Sequence, residues 1–436
     1  MRQCLIGWMC VVLIWSVHGT GSVRGDDMPA WLDANMPDLI QVYQHFHQHP
    51  ELSFHEEQTA ERLVKELRGA GYETTPGVGG HGVVGLLKNG DGPTVMFRCD
   101  LDALPVTEET GLAYASQVTT QNEEGQTVGV MHACGHDIHL TNLVALARFM
   151  ASHQDQWQGT LMLIGQPAEE KVDGAVGMLR DGLYTRFPKP QFALALHVDA
   201  ELAAGQVGFR AGYSLANSDS CDITLMGRGG HGSKPESCVD PILQAAQLVV
   251  DLQSIVSREV SPLEPAVVTV GAIHGGTKHN IIPDKCHLKL TLRSYTPEVR
   301  QLLRDAVTRK AKAVAASHRA PEPEVIFDEG TSAVFNDEGL VARVVGGFVA
   351  ELGKESVVPA ERVMGAEDFG EYATGGVPIF MFRLGTIPPE KLAEYRLTGT
   401  PPPSLHSSKY FPDPNATLRT GLRASVAAIK ELMPKR

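Results

Sequence analysis

Hydrophobic and polar positions change their period several times along the chain, and these changes predict alternating helices and strands. Short apolar runs indicate buried strands, whereas longer amphipathic stretches indicate helices. The predicted helices of the first half are Thr59–Ala70, Asp137–Ser152 and Ala175–Leu183, and the predicted strands are Val83–Leu87, Thr94–Phe97, Thr160–Ile164 and Phe192–Leu196. Strands that alternate with helices of this length are typical of an α/β fold with a mostly parallel sheet flanked by helices.

The pattern changes near residue 211 and returns to α/β alternation after about residue 326. The segment between predicts strands at Asp222–Met226, Val267–Gly271 and His287–Leu292 and helices at Pro241–Arg258 and Pro297–Ser317. The alternation resumes at Leu340–Leu352 and Ile379–Leu384. We therefore predict one α/β domain in two parts, residues 26–210 and 326–436, with a smaller α+β domain inserted at 211–325.

The N-terminus has the layout of a secretory signal peptide. Met1 and Arg2 precede an uncharged, mostly apolar stretch from Cys4 to Val17, and small residues follow. This order predicts a signal peptide over residues 1–25 and export to the periplasm or out of the cell. An N-terminal membrane anchor is the alternative if the signal is not cleaved. No stable membrane span is expected after signal removal, because no later stretch reaches the roughly 20 apolar residues required.

Composition excludes several classes of protein. The chain has 436 residues, of which 43% are hydrophobic and 20% charged, and this is ordinary usage for folded globular domains. The formal net charge is −13 and no Lys/Arg-rich run interrupts it. We therefore expect no nucleic-acid partner.

The densest cluster of metal-ligand residue types lies around Cys134 and His136. These residues are two positions apart, so in an extended segment their side chains point the same way and can share one ion. Thiolate sulfur and imidazole nitrogen are common ligands of zinc-like metals. A buried cysteine beside ordinary histidines is the alternative for this spacing alone.

Further candidates follow two apolar strands. Glu169 and Glu170 come shortly after the strand that ends at Ile164, and His197 directly follows the strand that ends at Leu196. Open α/β sheets gather ligands at the carboxyl ends of their strands, where these side chains would meet Cys134 and His136. His406 is a candidate for a last ligand from the returning α/β half. His45, His47 and His49 precede Pro50 in a predicted loop, where a solvated face or a supporting role near a metal is expected.

Six segments together resemble successive signatures of one enzyme family. They are His49–Ser53, Arg98–Pro105, Met131–His139, Gln166–Glu170, Gly365–Phe369 and Leu405–Ser407. In this order they are similar to the di-metal aminoacylase/carboxypeptidase family of metallopeptidases. The resemblance is to its amidohydrolase branch, which includes hippurate hydrolases, N-acyl-L-amino acid amidohydrolases and indole-acetyl-amino-acid hydrolases.

The resemblance implies a zinc-peptidase-like catalytic domain with an inserted ferredoxin-like lid and dimerisation domain. It implies one or two divalent metal ions (Mn, Zn, Co or Ni) with Glu169 as general base. The implied metal ligands are Cys134, His136, Glu170, His197 and His406. It also implies a homodimer in which His231 of the lid reaches the partner's site and polarises the substrate carbonyl. Asn280 and Arg293 match lid positions suited to holding a substrate carboxylate.

The implied reaction is hydrolysis of the amide bond of a small N-acyl amino acid, such as an N-acetyl or N-benzoyl derivative. A metal-dependent dipeptidase or carboxypeptidase is the alternative within the same chemistry. Two rivals come from other classes: a cysteine hydrolase with Cys134 as nucleophile, and a non-catalytic protein that binds acyl-amino acids. Glu169 favours the metal hydrolase over a binding protein, because a binder needs no free carboxylate beside its metal.

Overall fold

The computed structural model describes residues 28–121, 125–328 and 330–435. The helices are α1 (Met28–Gln48), α2 (Glu57–Gly69), α3 (His136–Ser152), α4 (Gly174–Arg180), α5 (Leu183–Arg186), α6 (Pro241–Ser254), α7 (Pro297–Ser317), α8 (Glu338–Leu352), α9 (Pro389–Thr398) and α10 (Pro414–Leu432). The strands of the first half are β1 (Glu73–Val78), β2 (Gly82–Asn89), β3 (Thr94–Asp100), β4 (Thr119–Gln121), β5 (Thr127–Gly129), β6 (Gly159–Gln166), β7 (Phe192–Ala203), β8 (Val207–Phe209) and β9 (Gly212–Leu215). Those of the second half are β10 (Asn217–Met226), β11 (Gly230–His231), β12 (Ala266–Gly275), β13 (Ile281–Ile282), β14 (Lys285–Ser294), β15 (Glu324–Phe327), β16 (Val334–Asn336), β17 (Val357–Pro359) and β18 (Ile379–Ile387).

The larger domain is built on an eight-stranded sheet in the order β1-β2-β6-β3-β7-β18-β8-β17. Its central strands β6, β3, β7 and β18 are parallel, whereas β1, β2 and β8 pair with their inner neighbours in the antiparallel direction. The predicted α/β fold with a mostly parallel sheet is confirmed. Parallel strands bring their carboxyl ends to one edge, and this edge carries the candidate site.

Both faces of this sheet are buried, as is usual for parallel strands. On one face Leu194 and Phe382 pack with Leu143 of α3 and Leu422 of α10. On the other face, Ala195 and Met381 lie in a core that also contains residues of α4 and of the 3₁₀ segment Asp368–Gly376. The alternate residues of β7 and β18 therefore face different cores, and the near-continuous apolar runs of the sequence follow from that arrangement.

The inserted segment forms a four-stranded antiparallel sheet in the order β12-β14-β10-β15, with α6 and α7 on one face. The chain order is β10-α6-β12-β14-α7-β15, which is the ferredoxin-like βαββαβ pattern. Along β10, Cys221, Ile223 and Leu225 are buried against these helices, while the residues between them are more exposed. This sheet has its own core, so the lid is a separate unit; its predicted limits, and those of the other domains, stay predictions.

Capping residues explain why the longer helices begin where they do. Asp240, Thr296 and Asp413 each accept hydrogen bonds from backbone N–H groups in the first turn, and each is followed by a proline at the first helical position. Helix α6 ends at Ser254, earlier than predicted, because the next turn, Ile255–Glu259, is π-helical. Among the described residues, no helix is both long and apolar enough to cross a membrane.

Candidate metal centre

Side chains from four separate segments meet at the carboxyl edge of the parallel sheet. Cys134 and His136 lie at the start of α3, Glu170 follows β6, His197 lies within β7, and His406 follows α9. The predicted strand before His197 is longer than expected, because β7 continues to residue 203. The sheet strands β6 and β7 lead into or contain Glu170 and His197, and the His406 turn is held by its N–H, which donates to the Ala133 oxygen at 2.9 Å.

The five predicted ligands form two groups that share the Cys134 sulfur. One group contains Cys134, His136 and His197, the other Cys134, Glu170 and His406, and in each group the ligand atoms lie within 4.8 Å of one another. Cys134 Sγ is 3.6 Å from Nε2 of His197, and Glu170 Oε1 is 3.5 Å from Nε2 of His406. Each of these groups is compact enough to surround one ion.

Backbone contacts fix which nitrogen of two histidines faces the centre. Nδ1 of His136 donates to the backbone oxygen of Asp102 at 2.8 Å, and Nδ1 of His197 donates to the backbone oxygen of Val198 at 2.8 Å. A proton on Nδ1 leaves the lone pair of a neutral imidazole on Nε2. In His136, Nε2 is buried and has no hydrogen-bond partner. Both rings thus present a free ligand atom to the centre.

The turn that carries Glu169 and Glu170 is held by two buried carboxylates. Ala168, just before it, has a left-handed backbone with φ 52°. Its N–H donates to Oε1 of Glu56 at 2.7 Å, and the N–H of Glu170 donates to Oδ2 of Asp102 at 2.9 Å. These contacts bring Glu169 Oε2 to 3.8 Å and Glu170 Oε1 to 3.9 Å from His136 Nε2.

The electrostatics and the donor set fit one or two divalent cations. Burial raises the pKa of the Cys134 thiol, and it holds the pKa of Glu169 well above its usual range. Burial also raises the pKa of Glu170, to about 7. These shifts favour the neutral groups, and a divalent cation among them would offset the effect. The buried and unpartnered atoms Glu170 Oε1 and His136 Nε2 are suitable ligand atoms for it.

An arginine that the sequence did not mark as functional underlies the centre. Arg98 is fully buried in β3 and donates to Asp100 at 2.7 Å, to Glu367 at 2.8 Å and to Asp368 at 3.1 Å. The same guanidinium donates to Gln166, the last residue of β6, at 2.9 Å. This network joins β3 to the segment after residue 364. The segments that contain Arg98, Gln166 and Glu367 carry the family resemblance, but no role was predicted for these three residues.

His47, for which a solvated face or a supporting role near a metal was predicted, lies beside the start of α3. The prediction that His45 and His47 lie in a loop is wrong, because α1 continues to Gln48. His47 is buried, with Nδ1 2.7 Å from Asp137 and Nε2 3.1 Å from Glu108. Burial lowers its pKa, but the two carboxylates outweigh that effect and raise the pKa to about 9. Asp137 follows the proposed ligand His136, so this ion pair supports the start of α3.

The three predicted lid residues are all carried by the inserted segment. His231 is exposed in β11, where its Nδ1 is 2.7 Å from the Ser233 hydroxyl. Asn280 is exposed next to it, since its backbone oxygen accepts the Gly232 N–H at 2.8 Å. Arg293 is half-buried in β14, and its Nη1 has no hydrogen-bond partner. Within the described ranges no hydrogen bond or ion pair joins these three residues to the cluster.

Comparison with known proteins gives a family for this arrangement. Residues 96–394 match peptidase family M20/M25/M40. The chain is 36% identical over 343 residues to hippurate hydrolase of Campylobacter jejuni. The aligned region covers 76% of this chain and 84% of the relative. It is 33% identical over 352 residues to N-acetyl-L-cysteine deacetylase of Bacillus subtilis, covering 80% of this chain and 81% of the relative.

A solved structure extends the likeness to the fold. The YXEP protein of Bacillus subtilis, described as a dinuclear metal-binding peptidase of the M20 family, superimposes with a TM-score of 0.74 and 29% identity. The match covers 91% of this chain and 98% of that one. The family resemblance and the α/β fold inferred from the sequence are therefore confirmed.

The predicted location of the protein is wrong. Export, with membrane anchoring as its alternative, is contradicted by the matched relatives, whose names describe amidohydrolases, deacetylases and carboxypeptidases and not exported proteins. The signal peptide was predicted over residues 1–25, which lie outside the described residues.

The family match spans well over half of the chain, and the cluster contains the donor types that divalent ions take. The relatives are named as hydrolases of amide bonds. The chain belongs to peptidase family M20/M25/M40 and is a metal-dependent hydrolase of linear amides.

Proposed function

We propose that the protein hydrolyses the amide bond of N-acyl amino acids, with Glu169 as the general base. The observation that carries this proposal is the pair Glu169 and Glu170. Glu170 Oε1 belongs to a ligand group with Cys134 and His406 that does not include Glu169, whereas Glu169 groups with His136 and Glu170 and with Asp100 and Glu367. One carboxylate is thus available as a ligand and its neighbour for proton transfer.

The residues Cys134, His136, Glu170, His197 and His406 would hold one or two divalent ions. Such ions polarise a substrate carbonyl and lower the pKa of water from 15.7 to about 7. Mn, Zn, Co and Ni are all compatible with a set of one thiolate, three imidazoles and one carboxylate. The shared position of Cys134 in both ligand groups supports two ions over one.

Glu169 takes the proton from the attacking water and passes it to the departing amine. Burial and the neighbouring carboxylates Glu367 and Glu170 raise its pKa above its usual range, which favours a carboxylate that accepts the proton of water and then donates it to the amine. Glu169 is only 5% exposed, which limits exchange of that proton with bulk water.

The lid supplies the contacts to the substrate. We infer that Arg293 binds the substrate carboxylate, because its unpartnered Nη1 can donate to it. Asn280 would be a second donor to the same carboxylate. His231 would donate to the oxyanion that develops at the scissile carbonyl. His231 is exposed, and among the described residues it makes no hydrogen bond or ion pair with the cluster of its own chain, which supports a homodimer through the lid in which it serves the partner's site.

A substrate panel with metal analysis tests the proposal. The protein would be assayed with N-acetyl, N-benzoyl and indole-acetyl amino acids and with unacylated dipeptides, and bound metal would be measured by atomic emission. We expect release of the free amino acid from acylated substrates and a preference for them over dipeptides. A preference for dipeptides would instead support the dipeptidase or carboxypeptidase alternative.

A further inference from the structure

A buried glutamate at the start of α2 contacts the turn that carries the proposed base. Glu56 is 0% exposed and occupies the N-cap position of α2. An N-cap side chain normally accepts hydrogen bonds from its own helix, but Glu56 makes no such bond. Its Oε1 instead accepts the N–H of Ala168 at 2.7 Å, across 112 residues of sequence.

Ala168 needs such a partner for two reasons. Its left-handed backbone, φ 52° and ψ 41°, is disfavoured for any residue with a Cβ atom. It is also fully buried, so its N–H would be unsatisfied without Glu56. The left-handed residue immediately precedes the 3₁₀ turn Glu169–Lys171, and the direction of the turn depends on it.

We propose that Glu56 is a positioning residue for Glu169 and Glu170: by holding the N–H of Ala168, it keeps the left-handed turn that directs both carboxylates to the metal centre. This inference rests on the proposed function, because it presumes that Glu169 is the base and Glu170 a ligand. Asp102 holds the same turn from its other end through the Glu170 N–H at 2.9 Å. Loss of Glu56 would leave the Ala168 N–H without its acceptor, while Asp102 and the backbone oxygens of Ala168 and Glu169 would still hold the turn.

Glu51 provides a matched control in the same segment. Its carboxylate also accepts backbone N–H groups, from Thr59 at 2.8 Å and from Gln58 at 3.2 Å. Those groups belong to the first turn of α2 and not to the Glu169 turn. Both carboxylates therefore accept backbone N–H groups, but Glu51 accepts them from α2 and Glu56 accepts one from the residue before the Glu169 turn.

The experiment compares E56A, E56Q and E51A in the full-length protein. Each variant is checked for folding by circular dichroism, and Mn²⁺ is titrated into the metal-free protein by calorimetry. Turnover is measured with N-benzoylglycine and Mn²⁺. We expect E56A to weaken Mn²⁺ binding about tenfold or more and to lower kcat by a similar factor, with KM little changed. E56Q keeps an oxygen acceptor for Ala168, so it should retain most of the wild-type Mn²⁺ affinity and kcat. E51A should change neither the Mn²⁺ affinity nor kcat.

A second substitution separates positioning from general stability. Glycine adopts the left-handed conformation without strain, so A168G in the E56A background should recover part of the lost Mn²⁺ affinity. If E56A matches wild type in kcat and in Mn²⁺ affinity, the inference is wrong while the proposed function stands. A wild-type protein that cleaves no N-acyl amino acid would overturn the proposed function itself. Loss of affinity in E51A equal to that in E56A would also reject the inference, since it would indicate a general effect of the α2 segment.

Discussion

The Sγ atom of Cys134 lies 3.6 Å from Nε2 of His197, although the two residues are 63 positions apart. The Nδ1 proton of His197 is held by a backbone oxygen, so the nitrogen facing the sulfur is a lone-pair donor. This geometry suits two ligands of one ion. It also bears on the rival hypothesis in which Cys134 is a nucleophile and a histidine its base.

Metal removal distinguishes these two chemistries. We expect dialysis against a chelator to abolish amide hydrolysis and addition of Mn²⁺ or Zn²⁺ to restore it, because the carbonyl would otherwise lack a Lewis acid. The measurement is turnover of N-benzoylglycine against bound metal. Activity that survives complete removal of metal, and that a thiol reagent then abolishes, would favour the cysteine mechanism.

Replacement of the proposed base should separate chemistry from metal binding. We expect E169Q to lower kcat by roughly 10²- to 10⁴-fold, because the amide cannot take a proton from water. Bound metal should change little. The matched variant E170Q should instead lose metal, since Glu170 Oε1 lies in the ligand group with Cys134 and His406. Turnover of E169Q equal to that of wild type would refute the role of Glu169.

The proposed contribution of His231 to the partner's site predicts complementation between inactive variants. H231A and E169Q should each be nearly inactive alone. Mixed dimers hold one site with both residues intact, so after subunit exchange the mixture should reach about a quarter of wild-type activity. The measurement is activity before and after exchange in dilute denaturant. A mixture that stays inactive, although mixed dimers are detected by mass spectrometry, argues against a shared site.

The ion pair of His47 predicts a pH-dependent stability. Its pKa in the folded protein is about 9, above the value of about 6.5 for an unfolded chain. The stabilisation is therefore fully present below about pH 6.5 and is lost as the pH rises through about 9; its size is on the order of 3 kcal/mol. Urea unfolding of wild type and H47Q across this range should show a free-energy difference that shrinks with rising pH. A constant difference would mean that His47 is neutral in the folded protein.

Removal of Arg98 should be among the most destabilising single changes. We expect R98A to lower the free energy of unfolding by about 3–5 kcal/mol, because Asp100, Glu367 and Asp368 remain buried without their cation. Arg186, in an exposed pair with Asp181, is the control, and R186A should cost at most about 1 kcal/mol. Both values come from urea unfolding of the metal-loaded protein. Equal effects would show that burial does not decide the strength of these pairs.

The sequence predicted those parts of the fold and site that depend on local pattern. The apolar runs before Glu169 and His197 indicated strands, and the rule that parallel strands end at one edge brought their following residues together. Helix α7 was predicted with its observed limits, and in the structure the Thr296 side chain caps its start. No local pattern marks His406 as a ligand; its place in the returning α/β half made it a candidate, and the family resemblance implied the role.

Residues whose partners are distant in sequence could not be predicted in this way. Arg98 acquires its role from Glu367 and Asp368, which are 269 and 270 positions away. Glu56 depends likewise on Ala168, and an alanine with a left-handed backbone has no sequence signature. His47 was assigned to a loop because Pro50 follows it, although the helix continues almost to that proline.

The order of the ligands along the chain also affects how the protein is made. Cys134, His136, Glu170 and His197 all precede the inserted lid, whereas His406 follows it. A ribosome must therefore synthesise the chain as far as position 406 before the second ligand group is complete. Prematurely terminated products that stop within the lid would lack this histidine and could not complete the second ligand group.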